Sequence, residues 1–201
     1  MKLYYAAGAC SLSPHIILRE LGRTPELVKV NLREHKTETG EDYYSINFKG
    51  AVPLLELDNG ERLTEGIAIT QYLADLEPAM KLIPKVGSIE RYRVVEWQSF
   101  ISDIHRCYGP LFHPDGVAET TKNAAIEKLV KNYTWINEQL KGKSYLMGEN
   151  FTIPDAYLFA TLRWSYALRV PITGLENLKA YFDRVKSRPA VQEALKAEGL
   201  Q

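Results

Sequence analysis

The chain opens on a short apolar, aromatic run, Leu3-Tyr4-Tyr5, which stops at Ala7-Gly8-Ala9 and predicts a first strand. A helix is expected from Ser13-Pro14, because serine caps helix N-termini and proline suits the first helical position. Ile16, Ile17 and Leu21 give that helix its apolar face and Gly22 ends it. Leu27 to Val30 supplies a second strand, completing a right-handed βαβ unit with parallel strands. Residues 41–46 predict a short helix. Leu54-Leu55-Glu56-Leu57, the turn Asp58-Asn59-Gly60 and Glu61-Arg62-Leu63-Thr64 then form a hairpin, since Asn-Gly accepts the positive φ of tight turns. A helix follows over 65–76.

From residue 77 to residue 87 lie Pro78, Pro84 and Gly87, and this stretch reads as a linker. Beyond it strand signals stop. Residues 88–112 and 120–141 are periodic at helical spacing, the second through Ile126, Leu129, Tyr133, Ile136 and Leu140. Thr152-Ile153-Pro154-Asp155 reads as a capping box ahead of an apolar run, and shorter helices are expected at 175–187 and 189–198. The pattern therefore predicts an α/β domain over residues 1–80 followed by an all-α domain over 88–201.

Composition fits that picture: 45% hydrophobic and 25% charged residues in 201 are globular values. The charges balance to zero overall but not locally. Residues 1–80 carry 8 Lys/Arg against 12 Asp/Glu, net −4, and 81–201 carry 17 against 13, net +4. No uniform basic field draws the chain onto nucleic acid or an anionic membrane, and no apolar run reaches the ~18 residues of a membrane span. Two cysteines, Cys10 and Cys107, are too few for a disulfide framework, so a reduced, cytoplasmic protein is expected. Four scattered histidines make no metal site.

The chemistry concentrates at Cys10. It lies between the first strand and the first helix, at the carboxyl end of a strand, where ligands sit in such units. The nearby helix N-terminus is expected to favour its thiolate. Cys10-Ser11-Leu12-Ser13-Pro14 is a dithiol motif with its second cysteine replaced by serine, so an external small thiol is a more natural partner than an internal disulfide. Val52-Pro53, if cis, would leave the polar backbone groups of Val52 free to pair with an extended peptide. Thr64-Glu65-Gly66 opens a helix, where backbone N–H groups can take a carboxylate and the Glu65 side chain an ammonium.

These segments resemble a bacterial glutathione S-transferase of the beta class over essentially the whole length. They are joined by Gln71-Tyr72-Leu73-Ala74-Asp75 and the stretch from Phe151 to Leu158. The resemblance implies a thioredoxin-like N-terminal domain, a helical C-terminal domain, glutathione as cosubstrate, a hydrophobic electrophile as second substrate and a homodimer. It puts Cys10 against the glutathione sulfur, Val52 with Pro53 along the cysteinyl part, and Glu65 and Gly66 at the γ-glutamyl group. His105 matches a histidine near the thiol, with Ser99, Asp103 and Arg106 on the same helix. His35 stands where relatives carry a lysine for the glycine carboxylate, and Lys36 is the alternative. Tyr108, Phe112, Trp164 and Tyr166 are candidates to border the electrophile pocket.

Transfer of the glutathione thiol to an electrophile is the expected reaction. One alternative is glutathione-dependent thiol–disulfide exchange or peroxide reduction through a Cys10 mixed disulfide. The other is a non-catalytic ligand-binding or scaffold protein.

Overall fold

The computed structural model describes residues 1–200. They fall into two compact units, one of residues 1–83 with 187–200, the other of residues 84–186.

In the first unit, β1 (Lys2–Tyr5), β2 (Glu26–Asn31), β3 (Lys36–Thr37), β4 (Leu54–Glu56) and β5 (Arg62–Thr64) form one sheet in the order β3-β2-β1-β4-β5. β1 runs parallel to β2, with Leu3 opposite Leu27, and antiparallel to β4, with Leu3 opposite Leu55. The parallel pair is the expected βαβ unit, closed by α1 (Leu12–Glu20). β4 and β5 are the expected hairpin, Leu55 opposite Leu63, with Gly60 at φ 85° in the turn. The two-residue β3, which pairs Val30 with Thr37, was not foreseen; two residues are too few to show an alternation.

Side chains alternate across the sheet, so one face presents Tyr4, Val30 and Leu54 and packs them with Tyr43 and Ile46 of α2 (Tyr43–Ile46). Asp42 caps α2 by accepting the Tyr44 N–H, which is why that helix starts two residues later than the pattern suggests. α3 (Gly66–Leu76) packs against β4 and β5, and α1 packs against α3. The final helix, α9 (Pro189–Ala197), packs on α1, burying Val191, Ala194 and Leu195, while Arg188 grips Glu20 through both carboxylate oxygens at 2.6 and 2.8 Å. It therefore belongs to the same compact unit as the sheet.

The second unit is helical: α4 (Ile89–Cys107), α5 (Gly109–Phe112), α6 (Glu119–Gln139), α7 (Ile153–Ala167) and α8 (Glu176–Lys186). The run expected over 88–112 divides after Cys107, with Pro110 in the first turn of α5. α7 is buried almost all round and packs against α4 and α8. No described helix is long and apolar enough to cross a membrane.

Candidate functional site

The β1–α1 loop carries Cys10 and is held in several places. Ser11 Oγ lies 3.2 Å from both the Ala6 N–H and the Ala6 carbonyl, and the Ala9 N–H donates to Ala6 O at 3.0 Å. Gly8, at φ 72°, donates its N–H to Glu198 Oε2 at 2.9 Å. α1 begins at Leu12, two residues earlier than Ser13 as cap would allow; Ser11 holds the cap position, its hydroxyl turned to the loop.

Cys10 Sγ donates to the Val52 carbonyl at 3.3 Å. The residue keeps some exposure, but its sulfur is shielded, and that desolvation pushes the thiol up to about 11. The backbone amides of Cys10 and Ser11 pull the other way and are outweighed, and the Glu65 charge adds to the rise. The expected thiolate is thus corrected: Cys10 is a neutral thiol and a hydrogen-bond donor, because burial costs the charged form more than one helix end returns.

The Val52–Pro53 peptide is cis. The segment before it is fixed from below, since the Tyr43 hydroxyl and Asn47 Nδ2 both donate to Ala51 O, at 3.0 and 2.7 Å. The Val52 carbonyl faces Cys10, and its N–H lies outside the β4 ladder.

Glu65 precedes α3 with φ 69°, a left-handed conformation that is strained for a residue with a side chain. The helix therefore starts at Gly66, and its first N–H groups carry no helical partner. The exposed Glu65 carboxylate receives Lys49 Nζ at 2.5 Å, and the same ammonium reaches Thr64 Oγ1 at 2.9 Å. Cys10, Val52, Pro53, Glu65 and Gly66 thus form one neighbourhood: Cys10 bonds Val52, and the Pro53 ring would lie 3.6 Å from a Cβ at Gly66.

His35 is placed differently from Lys36. At φ 51°, His35 lies with its ring tilted against Tyr44 at 4.4 Å, with Nε2 3.1 Å from the Tyr44 hydroxyl and Nδ1 buried without a partner. Lys36 is exposed on β3, opposite Asn31.

In the helical unit, His105 lies on α4 with Nδ1 2.8 Å from the Tyr157 hydroxyl, its ring edge-on to Trp164 at 4.8 Å. Burial, and then the Arg106 charge, hold its pKa below the usual histidine value, so the ring is neutral at pH 7. Tyr108 and Phe112 stack at 5.7 Å and both meet Trp164, so three of the four aromatic candidates form one cluster beside His105. Tyr166 instead packs on Phe182. Ser99, Asp103 and Arg106 are exposed on α4, with Arg106 paired to Asp103 at 2.8 Å.

Lys49, Tyr157 and Glu198 were not foreseen. Their partners lie 16, 52 and 190 residues away, and no local spacing reports a contact at such range. No group of three or more His, Cys, Asp or Glu suited to a metal ion occurs among the described residues.

The family profile of the glutathione S-transferase N-terminal domain matches residues 1–75, and that of the C-terminal domain matches residues 99–189. Glutathione S-transferase GstA of Escherichia coli O157:H7 is 48% identical over 202 residues, covering 100% of both chains. The structure of a sphingomonad glutathione S-transferase complexed with glutathione superposes at a TM-score of 0.94 with 43% identity, covering 100% of both. A bacterial beta class glutathione S-transferase of Sphingomonas chungbukensis superposes at 0.95 with 42% identity, again covering 100% of both. The chain belongs to the glutathione S-transferase family, with the bacterial beta class.

Proposed function

We propose that the protein conjugates the thiol of glutathione to hydrophobic electrophiles, with residues 1–80 binding glutathione and residues of 88–201 contributing the apolar surface for the electrophile. The observation that carries this is the neighbourhood of Cys10, Val52 and Glu65. Within it stand a neutral thiol donor, a backbone N–H outside the sheet ladder, and a carboxylate beside an open helix N-terminus.

Each part has a match in a γ-glutamyl tripeptide. The Glu65 carboxylate takes the ammonium and the α3 N-terminus the carboxylate of the γ-glutamyl group. Val52 pairs along the cysteinyl peptide, and His35 or Lys36 takes the glycine carboxylate. The Cys10 S–H turns from Val52 to the incoming sulfur and, as a donor, favours its thiolate. That thiolate attacks the electrophilic carbon, forming the C–S bond, while the leaving group departs with its electron pair and the thiol proton passes to solvent. Orientation and an activated nucleophile supply the rate. His105, Tyr108, Phe112 and Trp164 offer the electrophile an apolar, aromatic wall with one polar edge. Ser99, Asp103 and Arg106 contribute charge and polarity on α4.

The exchange alternative needs Cys10 itself as the attacking thiolate, and burial works against it. The scaffold alternative leaves the strained Glu65 unexplained. We further propose a homodimer in a reducing, cytoplasmic setting, which suits the free Cys10 and Cys107.

Retention on immobilised glutathione, together with turnover of a chlorinated nitroaromatic, tests the proposal. Folded protein that shows neither would remove it.

A further inference from the structure

One buried polar cluster lies apart from every group assigned above. Glu198 follows α9 and is tied to it by its own N–H, which donates to Ala194 O at 3.1 Å. Its carboxylate is fully buried. Oε1 meets His15 Nδ1 at 2.8 Å, on a histidine that is also fully buried, and Oε2 accepts the Gly8 N–H at 2.9 Å. With the ring as its Nδ1–H tautomer, each carboxylate oxygen faces a donor. His15 lies on α1, and Gly8 lies in the loop two residues before Cys10.

The placement has a consequence for the loop. Residues 6–11 are short-range structure, closed by Ala9 on Ala6 and by Ser11 on Ala6. Those bonds fix the shape of the turn, not its position. Position needs an anchor from elsewhere, and the bond to Glu198 crosses 190 residues of sequence. A buried carboxylate accepting from a backbone N–H is among the stronger hydrogen bonds a protein makes. The anchor is itself held in place, because α9 is packed on α1 through the buried Val191, Ala194 and Leu195.

We infer that Glu198 is a positioning residue: it holds the Gly8 amide, and through it sets where the Cys10 thiol stands relative to Val52. This rests on the proposed glutathione site only for its effect on catalysis; its effect on Cys10 is independent of that reading. Glu198 touches neither the proposed substrate groups nor Cys10.

The test compares Glu198→Ala with Arg188→Ala, which removes an ion pair between α9 and α1 but leaves the Glu198–Gly8 bond and the apolar packing of α9 in place. The rate at which iodoacetamide alkylates Cys10 is read by mass spectrometry, with Cys107 in the other unit as internal reference. The glutathione KM and kcat are read in parallel. Freed from Glu198, the loop opens and exposes the buried thiol. Cys10 alkylation should then rise about tenfold relative to Cys107, the scale of losing one buried charge-assisted hydrogen bond. The glutathione KM should rise severalfold more than kcat falls, and Arg188→Ala should change neither.

Glu198→Gln covers the case in which the alanine variant does not fold. Its amide offers one oxygen to two donors, so the same changes should appear at smaller size. Unchanged Cys10 alkylation in the folded Glu198 variant, or equal changes in Arg188→Ala, would overturn the inference. A wild-type protein that does not bind glutathione would remove the proposed function, while the alkylation comparison would still decide the role of Glu198.

Discussion

Two opposed effects act on the thiol of Cys10. Backbone amides at the start of α1 favour the thiolate, shielding from water favours the thiol, and the second wins. Alkylation of Cys10 should therefore be slow at neutral pH and climb with a midpoint near 11, because burial pushes the thiol up to about 11. A midpoint near the ordinary value of about 8.5 would contradict the burial argument. As a donor rather than a nucleophile, Cys10 should be better replaced by serine than by alanine, with conjugation rates ranking wild type, Cys10→Ser, Cys10→Ala. His105 makes the complementary case. Its pKa is lowered first by burial and then by Arg106, so its ring-proton resonances should titrate below about 6.5. In Arg106→Met the midpoint should move upward. No local pattern shows either result, because spacing reveals that a cysteine sits at a helix end but not that its sulfur is shielded.

At the scale of elements, the start of α7 shows what spacing can and cannot carry. Thr152 and Asp155 were legible as a capping pair, and Asp155 Oδ2 does accept the Thr152 N–H at 2.8 Å and its hydroxyl at 2.9 Å. Invisible from sequence were the two further donors on Oδ1, the Leu146 N–H at 2.9 Å and the Tyr181 hydroxyl at 3.1 Å, from 9 and 26 residues away. The carboxyl is fully buried, and burial raises it to about 6 despite these bonds. Asp155→Ala should destabilise the protein by about 3 kcal/mol or more, since it leaves buried donors unpaired. The pH dependence has a definite sign. The folded-state value exceeds the unfolded one of about 3.9, so the folded chain holds more protons between the two. This group's contribution is full below about pH 4 and is lost as pH rises through 6, on the order of 3 kcal/mol in all. Urea unfolding across pH 4–7 should show that fall in the wild type, with the slope missing from Asp155→Asn.

At the scale of the molecule, the order βαβ, ββα, then helices was readable because strands and helices repeat at different periods and the change falls near the prolines of 78–84. The hairpin at Asp58-Asn59-Gly60 was readable for a chemical reason, the tolerance of Asn-Gly for positive φ. The place of α9 was not. Its apolar face shows that it packs, and only the fold shows that it packs on α1. The same limit hid Lys49 on Glu65 and Glu198 on Gly8. A homodimer predicts sedimentation at twice the chain mass, and a monomer at working concentrations would refute that part of the proposal. The central claim is that a γ-glutamyl tripeptide thiol binds at Cys10, Val52 and Glu65, and titration calorimetry with glutathione tests it most directly. Saturable heat is predicted, weakened by about tenfold in Glu65→Ala through loss of a charge-assisted hydrogen bond. Folded wild-type protein that gives no heat, or Glu65→Ala that binds as tightly as wild type, would contradict it.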